Sequence, residues 1–256
     1  MPFTIAVAGK GGTGKTTVTA LVIHYLLRDD QGPILAVDAD PNANLGDLLG
    51  LEVEMTVGGL EAETLKGIRS LPAGIPLDRY MEYELHQALV EGAGVDLLAM
   101  GRGEGPGCYC AVNHILKRYL ESVRGNYPYV ILDNEAGMEH LSRHVTQGID
   151  LLLIVSYANP VAIRAAARID ALASELDLRI EARYLVLNNL RGEVPERVQE
   201  EIDRSGLEVL GKVPHDEIIA TLNLESRPIG ELLPRAVALS AMESMLGKAL
   251  RKEERV

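Results

Sequence analysis

The sequence predicts an α/β fold: a mostly parallel sheet with helices on both faces, in a single domain over residues 1–256. Three observations predict it. Short β-rich apolar runs alternate with stretches of helical spacing along the whole chain, a pattern that implies right-handed βαβ crossovers. A glycine-rich stretch, Gly9 to Thr17, stands between the first strand and the first helix. Aspartates then close two of the strands, at the sheet edge where open α/β folds bind ligands.

Phe3 to Ala8 reads as a buried strand. The stretch after it, Gly-Lys-Gly-Gly-Thr-Gly-Lys-Thr-Thr, satisfies the phosphate-loop pattern G-x-x-x-x-G-K-[ST] at every fixed position. Val18 to Leu27 follows with Ala20, Leu21, Ile23, His24 and Leu27 near helical spacing. Strand, glycine turn and helix N-terminus together make an anion cradle, because backbone N–H groups and the helix dipole converge there. Gly11, Gly12, Thr13, Gly14 and Thr17 belong to that cradle. Lys15 would reach the β- and γ-phosphates, and the Thr16 hydroxyl would hold Mg2+. A glycine turn without nucleotide is the plainer alternative; the position at the end of the first strand argues against it.

The second strand, Ile34 to Val37, runs into Asp38-Ala39-Asp40-Pro41. Pro41 stops it, and the two carboxylates share a side if the strand persists. Beside a phosphate loop they would orient water and magnesium; otherwise they form a capped turn before a short helix, Asn44 to Leu49. Residues 51–94 are the least regular part. A helix from Val57 through Leu65 and Ile68, a loop over 71–76 and a partly helical Tyr80 to Val90 suggest a helical insertion over the nucleotide face. Val95 to Met100 is a strand, and the glycines and proline of 101–107 make a loop. The helix Ala111 to Val123 carries an apolar side of Ile115, Leu116, Tyr119 and Leu120. The strand Tyr129 to Leu132, with Pro128 tolerated at its start, closes on Asp133-Asn134-Glu135-Ala136-Gly137. After a matched phosphate loop, Asp133 would hold Mg2+ through a water and Ala136-Gly137 would form a switch near the γ-phosphate. A strand (Leu151 to Ser156), a helix begun by Asn159-Pro160 and running through Leu176, and a strand (Ala182 to Asn188) come next. A helix (Pro195 to Ser205) and a strand (Glu208 to Val213) lead to Pro214-His215-Asp216, and the last helix lies within Leu232 to Leu250.

Composition narrows the partners. The net charge of −12 argues against a generally DNA-binding surface, while leaving room for a local basic patch. Trp is absent and Phe occurs once, so the core is aliphatic and stacking platforms for single strands are not expected. No run of about eighteen apolar residues suggests a membrane span, and the charged tail from Lys248 to Val256 has too little apolar surface to anchor. No basic stretch precedes an apolar one at the N-terminus, so the expectation is a cytoplasmic protein with neither membrane nor nucleic acid as partner. The two cysteines, Cys108 and Cys110, are separated by one residue. In a cytosolic chain such a pair points to metal or redox chemistry rather than a disulfide framework, and its glycine-rich flank points to a surface loop. Two thiolates do not complete a four-coordinate site, but two copies across a twofold axis do. His114 is either a further ligand or an ordinary surface histidine.

Lys10, a second lysine inside the loop, makes it resemble the deviant phosphate loop of the MinD/ParA/nitrogenase iron protein class. The resemblance implies a homodimer that holds two ATP molecules between facing subunits, with Lys10 contacting the nucleotide across the interface. Chemistry alone also allows a solvated lysine. The class further implies that Asp40, in its first switch, prepares the attacking water. Asn188, Pro214 and Asp216 would then surround adenine, and no Asn-Lys-x-Asp guanine motif is present, since Asn188 is followed by Asn189-Leu190-Arg191.

Two further stretches, Gly-Pro-Gly-Cys-Tyr-Cys-Ala at 105–111 and Asp-Asn-Glu-Ala-Gly-Met-Glu-His-Leu-Ser-Arg at 133–143, are similar to the CooC family of nickel-insertion accessory ATPases. That resemblance implies an ATP-hydrolysing metallochaperone, with ATP/ADP and Mg2+ as cofactors, that delivers Ni2+ to apo carbon monoxide dehydrogenase or acetyl-CoA synthase. Cys108 and Cys110 would bind the nickel between subunits. Physical chemistry alone does not choose nickel, since four thiolates suit zinc as well, and the same site could take Zn2+ in vitro. Two rivals share the loop and the dimer: a ParA/MinD-type positioning ATPase, and an electron-transfer ATPase resembling the nitrogenase iron protein, which would reveal itself by an iron–sulfur absorption bleached by dithionite.

Overall fold

The computed structural model describes residues 2–28, 32–65, 74–102, 110–135, 148–175, 179–225, 227–231 and 235–253. Its strands are β1 (Phe3–Gly9), β2 (Ile34–Asp38), β3 (Leu89–Glu91), β4 (Val95–Ala99), β5 (Tyr129–Asp133), β6 (Ile149–Tyr157), β7 (Ile180–Leu190) and β8 (Val209–Pro214). They form one sheet in the order β3-β4-β2-β5-β1-β6-β7-β8. Every pairing is parallel except β3 with β4 at one edge. The described helices are α1 (Lys15–Arg28), α2 (Leu45–Leu49), α3 (Val57–Leu65), α4 (Leu77–Gln87), α5 (Cys110–Arg124), α6 (Pro160–Glu175), α7 (Glu196–Ser205), α8 (Glu217–Leu224) and α9 (Val237–Glu253). A 3-10 turn, Ile229–Glu231, precedes α9.

Alternation along each strand divides the core into two layers. Ile5 and Val7 of β1, and Leu151, Leu153 and Val155 of β6, face a layer built by α1, α8 and α9. Ala6 and Ala8, with Leu152 and Ile154, face the other layer, built by α3 to α7. Both sheet faces are therefore covered, so the strands read as continuous apolar runs rather than as an alternation with polar residues. The stripe expected on α5 is buried, with Ile115, Leu116, Tyr119 and Leu120 all inside the second layer.

Three local expectations are corrected. Among the described residues of 51–94, α3 and α4 pack beside α5 on the flank of the sheet rather than over the nucleotide face. The apolar faces of Val57, Leu60, Met81 and Leu85 find their cover there. Val90, expected in a helix, belongs to the edge strand β3, where Val90 pairs with Leu97. The helix α8 was not expected at all, and Asn189 continues β7 instead of following it. Parts of that region, 66–73, lie outside the described residues.

Candidate functional site

The loop between β1 and α1 has the geometry of a cradle. The Thr13 N–H and hydroxyl both donate to the Lys10 carbonyl, at 3.2 and 2.8 Å, which folds the loop on itself. Gly12 and Gly14 have φ of 79° and 83°, left-handed values that favour glycine. At Gly14 there is also no room, because a Cβ would strike the Asn188 amide. That amide donates from Nδ2 to the Thr13 carbonyl at 2.8 Å and so fastens the loop to the end of β7. Lys15 is only 6% exposed, whereas Lys10 is exposed.

Sheet order brings two aspartates beside the loop. β2, β5 and β1 are neighbours, and Asp38 lies in register with Asp133, which in turn lies in register with Val7. Both aspartates are 0% exposed. Burial pushes the Asp133 carboxyl up to about 7, and the charge of Asp38 adds to this; the Thr16 and Thr19 hydroxyls and Lys15 pull the other way. Thr19 donates to its Oδ1 at 3.0 Å, while Oδ2 is buried with no hydrogen-bond partner among the described residues. A buried, unpartnered carboxylate oxygen beside the Thr16 hydroxyl fits a magnesium ion and its waters. Burial likewise pushes Asp38 up to about 6, against hydrogen bonds from the backbone N–H of Leu45 and Asp40.

Those two hydrogen bonds, 2.9 Å from Leu45 N to Oδ2 and 3.0 Å from Asp40 N to Oδ1, add to the reading of Asp38. Expected on the magnesium side, it also accepts one backbone N–H on each oxygen and so shapes the segment after β2. Nor do Asp38 and Asp40 share a side. The strand ends at Asp38, and Asp40 turns toward the cavity above the loop. Its Oδ1 accepts the Asn42 backbone N–H at 2.9 Å and the Asn42 Nδ2 at 2.8 Å.

Two cavities meet above the loop. One of about 610 Å3 is lined by Gly11, Gly12, Lys15 and Thr16 on one side and by Asp40, Glu135 and Arg227 on others. The second, about 250 Å3, is lined by Asn188, Pro214 and Asp216, with Tyr157 and Ile219. Gly14, Thr17 and Asn223 line both, so the two are continuous. None of residues 51–94 among the described ones lines either. The larger space over the loop suits a polyphosphate; the smaller, with apolar walls and amide groups, suits a base. Asp216 sits there as the N-cap of α8: its Oδ1 accepts from Ile218 N at 2.9 Å and its Oδ2 from Ala238 N at 3.0 Å. Its carboxylate therefore shapes the wall of the base cavity.

Sequence reasoning missed Thr19, Asn223 and Arg227. Thr19 was legible: it stands four residues after Lys15, one helical turn along α1. The α8 signal was also present, as an aspartate cap, Glu217 in the first turn and the apolar run Ile218-Ile219-Ala220. Cys108 and Ala136-Gly137 lie outside the described residues; Cys110 is the first residue of α5, and its side chain and that of His114 are not described.

The CobQ/CobB/MinD/ParA nucleotide binding domain matches residues 4–229. An uncharacterised ATP-binding protein of Methanocaldococcus jannaschii is 38% identical over 97% of this chain and 99% of its own length. The carbon monoxide dehydrogenase accessory protein CooC of Rhodospirillum rubrum is 31% identical over 84% of each chain. The septum site-determining protein MinD of Pyrococcus horikoshii, solved in complex with Mg-ADP, superposes with a TM-score of 0.64 at 22% identity, covering 96% of this chain and 94% of that one. The chain belongs to the CobQ/CobB/MinD/ParA family of nucleotide-binding domains and is an ATPase of the MinD/ParA class.

Proposed function

We propose that this ATPase works as a homodimeric metallochaperone, carrying nickel to an apo carbon monoxide dehydrogenase or acetyl-CoA synthase. The observation that carries the reading is the sequence Cys108-Tyr109-Cys110, whose last residue begins α5, in a chain 31% identical to a carbon monoxide dehydrogenase accessory protein. Two copies of the pair, met across a twofold axis, would supply four thiolates to the cargo ion.

On this reading the loop from Gly11 to Thr17 holds the ATP phosphates and the cavity beside Asn188 and Pro214 takes adenine. Mg2+ would be held by the Thr16 hydroxyl and, through water, by Asp133; when bound it offsets charge on the β- and γ-phosphates. Asp40 orients the attacking water. Lys15 binds the phosphates in its own subunit, and Lys10 reaches the nucleotide of the facing one. Asp38 holds the first switch in shape. ATP shifts the dimer toward a closed form to the extent that it binds that form better, and hydrolysis releases the constraint on the paired thiolates.

The test is a nickel titration of anaerobic, reduced protein with and without ATP, beside a Cys108→Ser/Cys110→Ser variant. Tight binding of about one nickel per two chains, lost in the variant, is the expected result. Nickel binding that survives the double substitution, or none at all, overturns the reading. The second reading, a ParA/MinD-type positioning ATPase, is favoured by the family match and by the likeness to MinD, and does not use the cysteines. Among the described residues no helix is long and apolar enough to cross a membrane. ATP-dependent pelleting with DNA or liposomes would support that second reading.

A further inference from the structure

We propose that Arg227 binds the phosphates of the nucleotide in its own subunit, from a part of the cavity wall outside the loop. The larger cavity presents three carboxylates, Asp40, Asp47 and Glu135. Among the described residues that line it, only Lys15 and Arg227 are cations. Lys15 stands on the loop, so among the described lining residues Arg227 is the one cation from outside the loop that a triphosphate in this acidic space would meet. A planar guanidinium suits that place, since its fork of N–H groups matches paired phosphate oxygens.

The backbone holds Arg227 in position. Its N–H donates to the Leu222 carbonyl at 3.0 Å, and the Glu225 N–H donates to the Thr221 carbonyl at 2.9 Å, so the turn is tied to the last residues of α8. The next residue, Pro228, lies against Gly50, the residue that ends α2. Arg227 is thereby fixed between α8, whose start walls the base cavity, and α2, which follows the first switch. Its Nη1 donates to Glu225 Oε2 at 2.9 Å, with the two side chains 47% and 48% exposed. A half-exposed ion pair of this kind is weakly held, so the contact with Glu225 does not by itself keep the guanidinium from a phosphate. The inference depends on the nucleotide site and is independent of the nickel reading.

The test compares MgATP, MgADP and adenosine binding, with steady-state hydrolysis, in the wild-type protein and in Arg227→Ala, Arg227→Lys and Arg204→Ala. Arg204 is exposed on α7 and outside both cavities, so its variant controls for net charge. Arg227→Ala is expected to weaken MgATP and raise KM by about tenfold or more, the loss of one charge-assisted contact. Adenosine affinity should stay within about threefold, Arg227→Lys should fall between, and Arg204→Ala should match wild type. MgATP affinity unchanged in Arg227→Ala overturns the assignment. So does an equal loss for adenosine, which would mean damage to the base cavity, or a fall in kcat with KM unchanged.

Discussion

Replacing Gly14 by alanine separates two causes that a motif alone merges. At φ 83° the new Cβ meets its own backbone, a penalty of about 1–2 kcal/mol. It also strikes the Asn188 amide, which must swing away and release the Thr13 carbonyl. Thr13 is 3% exposed, so its carbonyl would lose its partner where water does not easily replace it, at about 1–3 kcal/mol. Gly12 offers the control: φ is 79°, but a Cβ there has nothing within 4 Å. Urea unfolding of nucleotide-free protein, followed by circular dichroism, should therefore show Gly12→Ala losing about 1–2 kcal/mol and Gly14→Ala about 2–5 kcal/mol. In an Asn188→Ala background the Gly14→Ala loss should shrink to the Gly12 value, a coupling of about 1–3 kcal/mol. Equal losses at the two glycines, or a Gly14 loss that ignores Asn188, would refute the claim that close approach of β7 dictates this residue.

The buried aspartates predict a pH dependence. Asp38 and Asp133 are raised to about 6 and about 7, above the value near 4 of an unfolded chain, so the native state binds the extra protons. Their contribution to stability is thus full below about pH 4 and is lost as pH rises through about 7. Asp133→Asn should gain on wild type across that window in nucleotide-free unfolding experiments; a pH-independent difference would contradict it. Asp216→Ala removes the acceptor for Ile218 N and Ala238 N, and should cost about 2–4 kcal/mol in urea unfolding. A loss under about 0.5 kcal/mol would show the cap to be dispensable. Lys10→Ala, at an exposed position, should fold and bind ATP normally but fail to dimerise with ATP in light scattering, with turnover down by at least about a hundredfold. Normal dimerisation and turnover would exclude a role across the interface.

What was legible in the sequence was local. The loop is one contiguous stretch whose glycines, lysine and threonines answer to a single ligand, and β1 and α1 announce themselves by periodicity on either side. Asp133 could be reached because a strand ending on an acid means something once the loop is known. Hydrogen-bond commitments were not legible. Asp38 and Asp40 look equivalent in Asp-Ala-Asp, yet one is spent on the backbone of Leu45 and the other faces the cavity, because the strand stops between them. Asp216 reads as a ligand-facing acid, but Ala238, far along the chain, takes one of its oxygens. Asn223 and Arg227 join the site only because α8 carries them to the cavity wall, and the local signal for that helix does not say where it packs. The strand β3 is three residues long, too short for alternation to separate it from the end of a helix.

The same topology limits how ATP hydrolysis could act on a cargo held by the cysteines. Strand β4 is parallel to β2 and β5, so α5, which connects β4 to β5, must begin near the edge of the sheet that carries the phosphate loop. Cys110 heads that helix. Sliding α5 to open a thiolate site would uncover Ile115, Leu116, Tyr119 and Leu120, which are buried against α4 and the sheet. At about 1.5–3 kcal/mol for each side chain, a displacement that exposed all four would cost about 6–12 kcal/mol. That approaches the whole stability of a domain. A change in the spacing of two rigid subunits leaves those contacts intact and still separates one Cys-Tyr-Cys pair from the other. If the proposed nickel site exists, its release step should therefore be a movement between subunits, and cross-linking the dimer through engineered surface cysteines away from α5 should trap nickel in the presence of ATP turnover. Nickel released at the wild-type rate from the cross-linked dimer would locate the switch inside the subunit instead.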